Sequence, residues 1–143
     1  MIYLTMNGMY DTSFENMIET FKWNIKFAYD EHRYLLKSDK LDEADKKRIK
    51  EVLGNKESVA DLQKSIISLA SMLYKHYGKK ALLLVDEYDV PIQNAYIEGY
   101  YDEAIKFFKS FYGSTFKDNQ NIEKNIITGV SRVSKEGLFS RSK

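Results

Sequence analysis

Apolar residues fall into two kinds of arrangement along the chain. Three short runs, Ile2 to Thr5, Ala81 to Val85 and Asn125 to Val130, have the length and bounds of buried strands. Between them apolar residues recur every three or four positions, as on helices that pack one face. Phe14, Met17, Ile18, Phe21, Ile25, Ala28 and Tyr29 form one such stripe. Thr12 and Glu15 stand in capping-box spacing before it and predict a helix running to about Leu36. Ser58 and Asp61 open a second helix, from Val59 to Tyr77, and a third spans about Tyr101 to Phe116. A charged segment from Asp42 to Leu53 reads as a solvated helix stopped by Gly54. The order strand, helices, strand, helix, strand argues a single α/β domain over 1–143, with a short parallel sheet flanked by helices.

The central run carries the chemistry. Ala81-Leu82-Leu83-Leu84-Val85 ends abruptly in Asp86-Glu87, and Pro91 follows. Acids at the carboxyl end of a buried parallel strand lie where open α/β sheets bind ligands. An apolar run ending in Asp-Glu has the form of a Walker B motif, in which the Asp helps hold a magnesium ion and the Glu orients or deprotonates water. A solvated loop after a strand gives the same letters. The third run places Thr128 at its own carboxyl end, as a polar group facing a phosphate or the attacking water. Arg132 follows as a phosphate-facing cation or a surface ion-pair partner. A nuclease using Asp86, Glu87 and Asp89 is the weaker enzymatic alternative, because nuclease acids converge from separated positions around a lysine. The two histidines, His32 and His76, lie near predicted helix ends and read as solvated side chains.

A phosphate cradle of the form G-x-x-x-x-G-K-[ST] is not found among the seven glycines. Gly78-Lys79-Lys80 lacks the hydroxyl and follows a helix.

Composition narrows the classes. Lys and Arg total 22 against 21 for Asp and Glu, so no global field draws the chain to nucleic acid or a membrane. There is no cysteine, which removes disulfide and thiolate chemistry, makes zinc improbable and fits a reducing cytoplasm. No signal peptide or membrane-spanning run is expected.

Leu83 to Pro91, then Gly99-Tyr100-Tyr101-Asp102, then Thr128-Gly129-Val130-Ser131-Arg132-Val133-Ser134-Lys135-Glu136, taken together, resemble the bacterial AAA-ATPase-like proteins. These are P-loop ATPases, often with a C-terminal PD-(D/E)XK nuclease-like region. The resemblance covers nearly the whole chain. It implies a partial P-loop NTPase fold of three layers, with ATP and Mg2+ as ligands. It also implies Asp86 as the magnesium-organising residue, Glu87 as the activator of water and Thr128 as the sensor. Arg132 falls in the matching motif. The family's phosphate loop lies upstream of the strand matched by Ile2 to Thr5, so the expectation is a fragment incompetent in hydrolysis by itself, with an exposed sheet edge. The reading from another class is a non-catalytic interaction module. It would bind a protein partner, or itself, through that edge and an aromatic surface of Tyr96, Tyr100, Tyr101 and Phe108.

Overall fold

The computed structural model describes residues 1–117 and 119–129. Three strands, β1 (Ile2–Thr5), β2 (Ala81–Asp86) and β3 (Ile122–Ile127), form a parallel sheet in the order β1-β2-β3. Five apolar residues in a row make β2 the natural central strand. Its register sets Thr5 opposite Asp86 on one side and Ile127 opposite Val85 on the other.

Helices α1 (Phe14–Asp30), α2 (Glu43–Leu53), α3 (Val59–Gln63) and α4 (Ser65–Tyr77) lie between β1 and β2. Helices α5 (Val90–Glu98) and α6 (Tyr101–Tyr112) lie between β2 and β3. Two right-handed crossovers that step the same way across a sheet put their helices on one face. Burial follows that rule. Ile2, Leu4, Leu83 and Val85 are fully buried, whereas Tyr3, Leu82 and Ile126, on the opposite face, are 36%, 40% and 42% exposed. On the covered face Phe21 of α1 meets the rings of Phe107, Phe108 and Phe111 edge-on, at 5.5, 5.3 and 4.9 Å between centroids.

The parallel sheet flanked by helices is as the sequence predicts; several boundaries differ. Helix α1 is capped by Ser13, whose side chain accepts the Asn16 N–H, and it ends at Asp30 rather than near Leu36. His32 lies just beyond this end. The histidine is 8% exposed, with Nε2 3.1 Å from the Met1 carbonyl and Nδ1 2.9 Å from the Tyr34 hydroxyl. This corrects the solvated reading, and Arg33–Lys37 continues only as a 3-10 turn. The expected helix over 59–77 is two helices. At the break Ser65 Oγ donates to the Leu62 carbonyl, the acceptor that a continuing turn would use. After Tyr112, Gly113–Lys117 forms a wider π-type turn instead of extending α6 to Phe116. Strand β3 begins earlier than expected and is largely exposed rather than buried, unlike β1 at the other edge of the described sheet. No helix among the described residues is long and apolar enough to cross a membrane.

Candidate functional site

The carboxyl ends of β2 and β3 meet in a small polar cluster. Asp86 is the last residue of β2, and Thr128 directly follows β3. The Thr128 backbone joins the two ends: its N–H donates to the Val85 carbonyl and its carbonyl accepts the Tyr88 N–H, both at 3.0 Å. Its hydroxyl donates to Asp86 Oδ1 and accepts the Glu87 N–H at 3.1 Å. The other oxygen of Asp86, Oδ2, accepts from the Tyr3 hydroxyl at 3.3 Å. The Asp86 carboxylate is thus oriented by hydroxyls from both neighbouring strands.

Glu87 departs from ordinary backbone geometry. Its φ is +55°, in the left-handed region that side chains other than Gly, Asn and Asp seldom occupy. One of its carboxylate oxygens, Oε2, is buried with no hydrogen-bond partner among the described residues. Strain and an unsatisfied buried acceptor at one residue are features that cluster at functional sites.

The turn beyond is held from below. Tyr112, fully buried, donates its hydroxyl to the Tyr88 carbonyl at 2.9 Å. Burial, and then the charge of Asp89, push the Tyr88 hydroxyl up to about 12, so it stays protonated. Asp89 is fully buried and precedes α5 without a side-chain capping bond, and Pro91 occupies the first turn of that helix. Gly129 lies against this turn. A Cβ there would come within 2.3 Å of Tyr88 Cε1 and 3.2 Å of Asp89 Oδ1, so only glycine admits the approach.

The structure therefore brings together Asp86, Glu87 and Thr128, three of the four residues singled out in the sequence. Arg132 lies outside the described residues. Tyr3 escaped the sequence reading, because only the pairing of β1 with β2 reveals that it reaches Asp86. Asp86, Glu87 and Asp89 do not form a metal-holding group of three among the described residues, as the nuclease reading would need.

A family model described as Predicted AAA-ATPase, AAA-ATPase-like, matches residues 1–139. The chain belongs to the AAA-ATPase-like family. No curated protein and no solved structure matches it.

The donors at the strand ends of this AAA-ATPase-like chain suit magnesium. They are all oxygens, from Asp86, Glu87 and Thr128, and one of them lacks a partner. Magnesium takes one or two protein carboxylates and completes its octahedron with waters and phosphate oxygens, so a cage of three protein acids is not required.

Proposed function

We propose that the chain supplies the metal-organising and water-activating half of an ATP-hydrolysing site. Asp86 holds the magnesium ion, the Glu87 carboxylate receives a proton from the attacking water, and the Thr128 hydroxyl keeps the two acids in register. When bound, the ion neutralises charge on the phosphate oxygens. The observation that carries this reading is the pairing of a hydroxyl-clamped Asp86 with a backbone-strained Glu87 at the carboxyl end of the central strand. Family membership supports it. The 143 residues hold no G-x-x-x-x-G-K-[ST] loop, so the reading requires a phosphate-gripping loop from another segment or chain.

The test is binding of Mn2+ with a non-hydrolysable ATP analogue, followed by the enhancement of water-proton relaxation that Mn2+ gives when held on a protein and does not give in the free metal–nucleotide complex. Enhancement at millimolar analogue is expected for the native chain and not for Asp86→Asn. Equal enhancement with both proteins places the ion elsewhere and ends this reading. Enhancement with neither ends it for this chain acting without a partner.

A further inference from the structure

The loop joining α5 to α6 builds a second site, which shares no residue with the strand ends. Tyr96, near the end of α5, is 75% exposed, and the next residue, Ile97, is 78% exposed. Tyr101, at the start of α6, stands perpendicular to Tyr96 with 5.8 Å between ring centroids. Tyr96, Gly99, Tyr100, Tyr101, Asp102 and Glu103 line a groove of about 520 Å3.

The groove has a fixed floor. Tyr100 is only 6% exposed, and its hydroxyl donates to the Asp11 carbonyl at 2.9 Å and accepts from Asn94 Nδ2 at 3.1 Å. Gly99, at φ +92°, ends α5 in the left-handed conformation and has open space where a Cβ would be. The aromatic pair is thus held by folded backbone while its outer surface remains in solvent.

Charge selects what such a groove accepts. Residues 96–106 carry three carboxylates, Glu98, Asp102 and Glu103, against one amine, Lys106. None of the three acids is in an ion pair among the described residues. Asp102 and Glu103 suit the amino end of α6, but that leaves their charge facing solvent. Aromatic faces attract cations, and carboxylates accept the planar fork of a guanidinium, which also stacks on rings. An anion would be repelled here, and a purely apolar ligand would gain nothing from the acids.

From these observations we infer that the Tyr96–Tyr101 groove docks an arginine side chain on a basic segment of a partner protein. Tyr96 and Tyr101 receive the guanidinium plane, Asp102 and Glu103 its donors, and Ile97 an apolar neighbour of the arginine. This inference is independent of the nucleotide reading.

The probe is a short capped Gly-Arg-Gly-Arg-Gly peptide, with a citrulline version as the uncharged isostere. Backbone amide resonances of the native chain are followed during titration. The expected result is saturable shifts at Gly99 and at Tyr101 to Glu103 with the arginine peptide and none with the citrulline peptide. Tyr96→Leu, which removes a largely exposed ring, should weaken binding about threefold, the effect of losing one exposed cation–π contact. Asp102→Asn should weaken it comparably and reduce its salt dependence. Equal response to the citrulline peptide, shifts centred elsewhere, or affinity unchanged in both variants would overturn the inference. Concentration-dependent shifts at these amides without peptide would overturn it too, by assigning the groove to a second copy of the chain.

Discussion

The Thr128 hydroxyl donates to Asp86 Oδ1 while accepting the Glu87 N–H at 3.1 Å, so one side chain at the end of β3 orients both acids of β2. Thr128→Val keeps the shape and removes both bonds. Each is worth about 1 kcal/mol net, more where a charge is involved, and the site is exposed, so a loss of about 1–2 kcal/mol is expected in urea unfolding. Thr128→Ser should restore most of it. If valine and serine behave alike, the hydroxyl does not organise the strand ends.

Glu87 makes the opposite prediction. Its φ of +55° costs a residue with a Cβ on the order of 1 kcal/mol, and glycine avoids that cost. The substitution also deletes a buried carboxylate oxygen that has no partner. Glu87→Gly is therefore expected to raise unfolding stability by roughly 0.5–1 kcal/mol, even though it removes the proposed proton acceptor. A variant less stable than the native chain would mean that Glu87 is held comfortably and that its geometry carries no functional signal.

Two glycines separate sharply in what they permit. At Gly129 a methyl group would lie 2.3 Å from the ring of Tyr88, which is 2% exposed and has little room to move. Gly129→Ala should cost about 1–3 kcal/mol by overpacking. At Gly113 nothing lies within 4 Å and φ is −58°, an ordinary helical value. Gly113→Ala should be neutral or stabilise by up to about 1 kcal/mol. Thermal unfolding of the two variants side by side checks both, and similar midpoints would contradict the described approach of Gly129 to the turn.

What the sequence disclosed followed from local physics. The run Ala81 to Val85, bounded by acids and Pro91, reads as a central strand because an unbroken apolar run of that length suits the middle of a parallel sheet, although only Leu83 and Val85 of it are fully buried. Asp86, Glu87 and Thr128 then fall at strand ends by counting. Features that depend on contacts between distant segments stayed hidden. Tyr3 reaches Asp86 only because β1 pairs with β2 in one register. His32 is buried with its ring against the Met1 carbonyl, 31 residues away. The aromatic surface proposed from sequence divides for the same reason. Phe108 is fully buried against Phe21 and Tyr112, and Tyr100 is nearly so, while Tyr96 and Tyr101 remain available to solvent.

His32 also gives the fold a pH dependence. Its Nε2 faces a carbonyl oxygen and so carries the proton, which leaves Nδ1 to accept from the Tyr34 hydroxyl. Tyr34 in turn accepts from the Tyr77 hydroxyl at 2.8 Å. Burial lowers the His32 pKa below its ordinary 6.5, outweighing the Met1 carbonyl, which acts the other way, as does the charge of Glu31. The unfolded chain therefore binds a proton at this residue at higher pH than the native chain does. The native state's advantage is complete above about pH 6.5 and is lost as pH falls from there through the lower native value. Protonation would also put a hydrogen on Nδ1, forcing the Tyr34 and Tyr77 hydroxyls to reverse direction. Urea unfolding of the native chain should show stability declining from about pH 7 to about pH 5, with a shallower slope in His32→Gln, whose amide can still donate to Met1. Parallel slopes for the two proteins would locate the titrating group elsewhere.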